Sequence, residues 1–481
     1  MTKAIIYNSI LIAAATFTFW YALYPQGLNY HEEYQFFVGS WSYLAEKLTL
    51  PGGFADWIAE FLVQFFALPV LGALVMMLIS VLLYVFSSSC LIPILVILAM
   101  GDCNLMPTYG VSLAIVLALC KPISKSKGFK IILTPVLWWF AGPLGLIAAI
   151  YSIVVNKSKY DIIALLTTIA AIVTARYTIL VQQPTEAICY GIFYHRYFPK
   201  PEILPAIIPL VALGGIVLSD VFKKHDFKPY VKVSFCILVI GLGYLSHSRF
   251  YDKDMWSQLA QDLNVRNKNW TKVIAEAEKH QARTPFSASC VNLALIMNGE
   301  ADRMMKFYQF GGDGLLVPAV RDNLTNMATA EAFWRLGFIN SCFKLCFDMQ
   351  EAGGQYKKSV RHTKRMAECC IVNGWYQVAE KYINMLEKTA MYRSWAKEAR
   401  TYLHNEDKIS ENPVYNYLRA ARPDKSIIFN EIEMDKMLAL AYHQNNSNLL
   451  AALYYKAYTD IAKGSQANIS TGESGQNNLL Q

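Results

Sequence analysis

Charge is what this chain has least of: Asp, Glu, Lys and Arg make up 17% of its 481 residues, against about a quarter in ordinary soluble domains. The loops that carry most soluble chemistry are missing as well. The sequence holds no Walker loop, dinucleotide fingerprint, HExxH, nucleophile elbow or kinase signature, which speaks against a soluble ATP-driven enzyme. Ten cysteines occur without a CxxC pair or zinc-ligand spacing. Five of them, Cys290, Cys342, Cys346, Cys369 and Cys370, lie in the second half, whereas an exported domain more usually pairs its cysteines or lacks them.

What is present in excess is apolar: 54% of the residues are hydrophobic and the mean hydropathy is +0.26. Residues 1–248 alternate long apolar runs with short polar breaks, while 249–462 read as charged, amphipathic and helical, and 463–481 as a polar, disordered tail. The expected fold class is all-α, a polytopic transmembrane domain followed by a soluble helical repeat domain. The first run, KAIIYNSILIAAATFTFWYAL, is long enough to cross a hydrocarbon core of about 30 Å. No small-residue cleavage site follows it, so it reads as a retained helix.

Further runs at 62–86, 89–101, 108–120, 131–141, 143–155, 160–181, 203–220 and 231–248 bring the expected membrane segments to about nine. The short middle ones suit half-helices or hairpins that enter and turn back, with Gly142 and Pro143 marking a break. The net charge of +8 sits largely in the loops 122–130, 156–160 and 223–232. A positive-inside bias explains it without nucleic acid. The loop 25–61 instead carries Glu32, Glu33, Glu46, Asp56 and Glu60 against Lys47. These biases place the N-terminus and the basic loops in the cytoplasm, and the loops 25–61 and 182–202 and the C-terminal domain outside.

In the second half a turn residue recurs with a packing residue five positions later: Asn269 and Ile274, Gly299 and Met304, Gly337 and Cys342, Gly374 and Ala379, Asn446 and Ala451. The anchors are 30, 38, 37 and 72 residues apart, close to the period of about 34 in tetratricopeptide-type helix pairs. Such pairs bury their apolar stripes only against neighbours, and Gly or Asn accommodates the left-handed helix end. Residues 405–430 interrupt the pattern. Trp270 and Trp375, each just after an anchor, suit the packing between repeats better than a peptide groove.

Ionisable groups gather at the expected outer boundary: His31, Glu32 and Glu33 in NYHEEYQFF, Asp102 in GDCN, Glu186, and His195, Arg196, Lys200 and Glu202 in FYHRYFPKPE. Arg176 lies near the end of an apolar run, where an arginine is costly unless it snorkels or serves a function. A carboxylate in a partly apolar pocket can act as a general base, and Arg or Lys beside it can grip a phosphate. The competing reading is that these charges solvate loop ends and that YHRYFPK is an interfacial anchor. A His and two carboxylates can hold a divalent ion, but His31, Glu32 and Glu33 cannot all face one point from a regular helix, so no metal site is assigned and the cofactor stays open.

The order of features in the first 90 or so residues, NYHEEYQFF, then the amphipathic VGSWSYLAEKL, the turn at Pro51, Gly52 and Gly53, and the next span, resembles the GT-C class of membrane glycosyltransferases. That resemblance implies a catalytic carboxylate at Glu32 or Glu33 and a polyprenyl-phosphate sugar as donor. As a whole, with HEEYQFF, LPGG and the repeats, the chain more closely resembles a family of polytopic membrane proteins from Bacteroidota, which implies an inner-membrane location and a periplasmic C-terminal domain. Two functions follow as expectations. One is a transferase with Glu32 or Glu33 as base, His31, Arg176, His195, Arg196 and Lys200 as substrate-binding residues, and the repeats holding the acceptor. The other is a non-catalytic scaffold whose repeats bind a protein partner. A transporter comes third, since no inverted repeat is visible.

Overall fold

The computed structural model describes residues 3–197, 202–221, 228–280, 284–300, 323–352 and 358–422. Among them the chain is all helical, with no strand and a single antiparallel bridge between Leu105 and His195. It divides into two compact units: Met1–Lys253 with Gly354–Val360 and Lys388–Met391, and Asp254–Gly353 with Arg361–Glu387 and Tyr392–Gln481. Lys200, the repeat anchor at Asn446 and the polar tail lie outside the described residues.

The first unit contains α1 (Lys3–Thr18), α2 (Pro25–Glu33), α3 (Trp41–Lys47), α4 (Gly53–Val63), α5 (Pro69–Ser87), α6 (Leu91–Ala99) and α7 (Pro107–Lys125). It continues with α8 (Lys130–Ala141), α9 (Leu146–Asn156), α10 (Lys159–Thr178), α11 (Thr185–Tyr190), α12 (Ile203–Val221) and α13 (Pro229–Ser246). Six stretches among the described residues are long and apolar enough to cross a membrane. The 19 residues of α5, for example, extend about 28 Å. The apolar side chains exposed along α5, α10, α12 and α13 are those a lipid phase would cover.

The 30-residue apolar stretch Lys127–Asn156 is not one straight span. Lys130 Nζ at the start of α8 donates to Ser152 Oγ near the end of α9 at 3.3 Å and to Asp161 Oδ1 at the start of α10 at 2.5 Å. The two short helices therefore run antiparallel, and the turn at Gly142–Gly145 lies at their far end. Gly142 has φ +74°, and a Cβ there would stand 2.9 Å from the Tyr194 hydroxyl. That combination of conformation and crowding requires glycine. The Gly52 amide donates to Trp139 O at 2.8 Å, and Trp139 Nε1 to Leu48 O at 2.9 Å, which fixes the hairpin tip against the α3–α4 elbow.

Helix directions follow from cross-contacts. Asn8 Nδ2 reaches Lys232 O at 3.5 Å and Tyr244 Oη donates to Ala15 O at 2.6 Å, so α1 and α13 are parallel. Tyr109 Oη donates to Pro205 O at 2.9 Å, which puts the starts of α7 and α12 at one end. The helix ends that carry Lys130, Asn156 and Asp161 thus form one end of the unit, and α2 to α4, the 100–106 turn and the 179–197 loop form the other.

The second unit contains α14 (Lys253–Arg266), α15 (Trp270–Lys279), α16 (Pro285–Met297), α17 (Asn323–Arg335), α18 (Ile339–Ala352), α19 (Val360–Asn373), α20 (Tyr376–Leu386), α21 (Arg393–Arg400), α22 (Glu406–Glu411) and α23 (Pro413–Ala421). Four helix ends share one geometry. A left-handed residue, Lys268, Gly299, Gly337 or Gly374, is followed by an amide that donates back to the carbonyl five residues earlier, each time at 2.8 Å. This is the Schellman closure, which satisfies carbonyls a helix end leaves open. One anchor shifts from its expected place: Asn269 has φ −90°, and the left-handed residue is Lys268, with φ +58°. The Asn264 carbonyl is closed by the Asn269 amide, so the left-handed position falls one residue earlier.

Candidate functional site

The α2 helix begins with Pro25 at its first turn, where a missing amide costs nothing, and ends at Glu33. Its last three residues are His31, Glu32 and Glu33, all with no exposed surface. Carboxylates at a helix C-terminus meet the negative pole of the helix, and burial adds a desolvation cost. A loop end that merely met water would carry neither penalty. Asn29 Nδ2 donates to Glu33 Oε1 at 3.1 Å, one helical turn away.

Arg196 arrives from the 192–197 turn. Its amide donates to Asn104 O at 2.8 Å, and the Met106 amide donates to Tyr194 O at 2.8 Å, so a short antiparallel pairing clamps the segment to the 100–106 turn. Asp102 Oδ1 in turn accepts the Asn104 amide at 3.0 Å. The Arg196 guanidinium is buried against the Tyr30 and Tyr34 rings, 4.0 and 4.2 Å from their centroids. Nη2 donates to Tyr30 O at 3.3 Å and lies 3.4 Å from His31 Nδ1. Its Nε and Nη1 make no hydrogen bond among the described residues. The two rings meet each other edge-on, with centroids 5.3 Å apart, so the guanidinium sits in the corner they form and both rings hold it in place.

His195 is buried beside it and lines a cavity of about 310 Å³ with Tyr109, Tyr194, Glu202 and the apolar faces of α9 and α12. Burial pushes its imidazole below the usual histidine range, against the raising pull of Asp102, so it is neutral near pH 7. It offers hydrogen bonds there, not charge. A cavity that is apolar along most of its wall and polar at one end suits an amphiphile.

His31, Glu33 and Arg196 are thus gathered around one helix end, with Glu32 in the same buried turn. Arg176 belongs to a different contact set. It donates from Nη1 to Leu180 O and Val181 O and from Nε to Thr185 Oγ1, all at 3.4 Å, and so ties the last turn of α10 to the loop that follows it. Glu186 is exposed in the first turn of α11.

A second cluster escaped the sequence reading. Lys47 Nζ donates to Asp56 Oδ2 at 2.6 Å and to Glu60 Oε1 at 3.1 Å, the Tyr43 hydroxyl donates to Glu60, and Thr108 Oγ1 donates to Asp56 Oδ1 at 2.8 Å. Burial lowers the Lys47 ammonium, but Asp56 and Glu60 outweigh it and hold its pKa above the ordinary value. Burial, followed by the Glu60 charge, drives the Tyr43 hydroxyl up. The available signal was spacing: Tyr43 with Lys47 and Asp56 with Glu60 are each four apart, on one helix face. No group of three or more His, Cys, Asp or Glu among the described residues is arranged to hold a metal ion.

No curated protein and no solved structure matches the chain. One family does, described as a family of unknown function (DUF6057), and its match runs over residues 2–463. The chain therefore belongs to the DUF6057 family.

Proposed function

We propose that this protein is a membrane transferase of the GT-C kind, taking a sugar from a polyprenyl-phosphate carrier at the end of the first unit formed by α2 and the 192–197 turn. In this reading that end and the helical second unit face the periplasm of a bacterial inner membrane, the basic helix ends face the cytoplasm, and the second unit holds the acceptor. The observation that supports it best is Arg196: a buried guanidinium held against two tyrosines, with two donors unused among the described residues, next in sequence to a histidine that lines an apolar cavity. The cavity suits the prenyl chain, Arg196 and neutral His195 the phosphate, and the buried carboxylates the acceptor.

The step balances without a further reactant. Glu32 or Glu33 takes the proton of an acceptor hydroxyl as that oxygen bonds to the anomeric carbon of the sugar. The bond from that carbon to the phosphate oxygen breaks, and polyprenyl phosphate leaves with its charge held by Arg196. The test is turnover of a polyprenyl-phosphate sugar by membranes that contain the full chain. Glu32→Gln combined with Glu33→Gln, present at normal level, is expected to lower the rate at least about a hundredfold, the range for loss of a general base. Unchanged turnover and an unchanged surface-glycan profile would remove the transferase reading and leave the scaffold.

A further inference from the structure

The second unit contains a cavity of about 320 Å³ whose wall carries Arg266, Lys268, Arg335, Arg361, Lys364 and Arg365 against Glu331 and Glu368. Asp262, just outside it, takes Arg361 through both oxygens at 3.1 and 3.0 Å. Glu331 is shared by Arg335 at 2.8 Å and Arg365 at 2.6 Å, and Glu368 by Arg365 at 2.9 Å and Lys364 at 3.8 Å. Among the described residues, six cations and three carboxylates thus gather around one small hollow.

The cations are also held in place. Arg365 stacks on Trp334 at 4.2 Å, Arg335 on Trp270 at 5.6 Å and Lys364 on Trp395 at 5.0 Å. Side chains fixed on ring faces lose little further freedom when an anion arrives. Lys268 adds a separate indication. At the three other Schellman closures of this unit the left-handed residue is glycine, whereas here a lysine takes φ +58° at the cavity wall. An L-residue in that conformation is strained by about 1–2 kcal/mol. Retained strain at a cavity is an indication of use.

The geometry points to an oxyanion-binding site in this cavity, for a small ligand or ligand end group bearing a phosphate or clustered carboxylates, with Lys268 and Lys364 as its outer cations. Four guanidiniums suit the bidentate geometry of such groups, and the volume, at the lower end of ligand pockets, suits a compact group and not a folded surface. The site is separate from the residues assigned to transfer and stands or falls without them.

The test is calorimetric titration of the purified full chain in detergent with inorganic pyrophosphate and, in a parallel arm, citrate, at constant ionic strength. Saturable binding of one or both anions is expected. It should weaken about tenfold in Lys268→Gly and in Lys364→Gln. Lys268→Gly is the informative variant because relief of the left-handed lysine keeps the fold intact, which its melting temperature would verify. Stronger binding of pyrophosphate identifies phosphate as the ligand chemistry, and stronger binding of citrate identifies carboxylates. The inference is overturned if neither anion binds saturably, if both variants bind as the parent does, or if only a Glu-rich peptide binds and neither small anion competes with it. None of these outcomes bears on turnover of a polyprenyl-phosphate sugar.

Discussion

The two ends of the first unit handle buried charge in different ways. At the basic end, Lys130 and Asp161 meet one to one, with Ser152 donating to Asp161 Oδ1 at 2.6 Å, Ser124 O accepting from Lys130 at 2.8 Å, and the Ser158 amide donating to Asp161 Oδ2 at 2.8 Å. Every oxygen of that carboxylate is spoken for, and the group ties the ends of four helices together. At the other end Arg196 stacks on aromatic faces with two donors left over among the described residues, and two buried carboxylates sit where the helix field opposes them. A closed ion pair reads as structure. A charged group with unused donors, next in sequence to a residue that lines a cavity, is the feature on which the transferase proposal rests.

The largest effect expected from this contrast is on stability at the basic end. Lys130→Ala leaves Asp161 buried without its cation and is expected to cost about 3–5 kcal/mol, read as a large fall in thermal unfolding temperature in detergent. A loss below 1 kcal/mol would mean that water reaches the pair and that the contrast is not one of closure.

That pair also shows what the sequence could and could not tell. The three basic loops read in the sequence as one side of the unit; the helix ends at 122–130 and 156–160 meet through Lys130, Asn156 and Asp161, while most of 223–232 lies outside the described residues. That Lys130 is buried and paired was not legible, because Asp161 stands 31 residues away. The break at Gly142 and Pro143 could be read from residue types, since both end helices. The acidic loop 25–61 was read as a charge count, which hid Lys47 folding back onto Asp56 and Glu60. His31, Glu32 and Glu33 were visible as a cluster, but the tyrosines that hold Arg196 over them, Tyr30 and Tyr34, looked like ordinary interfacial aromatics. Arg176 looked like a costly intramembrane charge and donates to carbonyls of the loop just beyond its own helix.

A smaller, pH-dependent effect sharpens the comparison with the second unit, where buried charge is denser. Burial, then the Arg361 and Arg365 charges, push the His362 imidazole down to about 3. Burial raises the Glu331 carboxyl, but Arg365, Arg335 and Arg361 outweigh it and bring it down to about 2. Both folded values lie below the unfolded ones, so both contributions are complete above the unfolded pKa and are lost on acidification. For His362 the loss runs from about pH 6.5 down toward 3, and for Glu331 from about pH 4.5 down toward 2. Stability against denaturant should therefore begin to fall below about pH 6.5. His362→Gln should flatten the decline above pH 4.5, make it shallower from there to about pH 3 and leave the part below pH 3 in place, and an unaltered profile would show that His362 is not the group that titrates.

The smallest expected effect is at Arg196. Arg196→Lys keeps the charge but loses the guanidinium's contacts with the Tyr30 and Tyr34 rings, and should cost only about 1 kcal/mol of stability. A cost as large as that of Lys130→Ala would make Arg196 a structural cation and erase the difference between the two ends.

The most direct measurement of that difference compares binding of polyprenyl phosphate and of the corresponding uncharged polyprenol to the full chain in lipid nanodiscs. The phosphate is expected to bind at least about tenfold more tightly, and Arg196→Ala should remove that preference while polyprenol binding stays as it was. Equal binding of the two lipids by the parent protein, or a full phosphate preference that survives Arg196→Ala, would contradict the account.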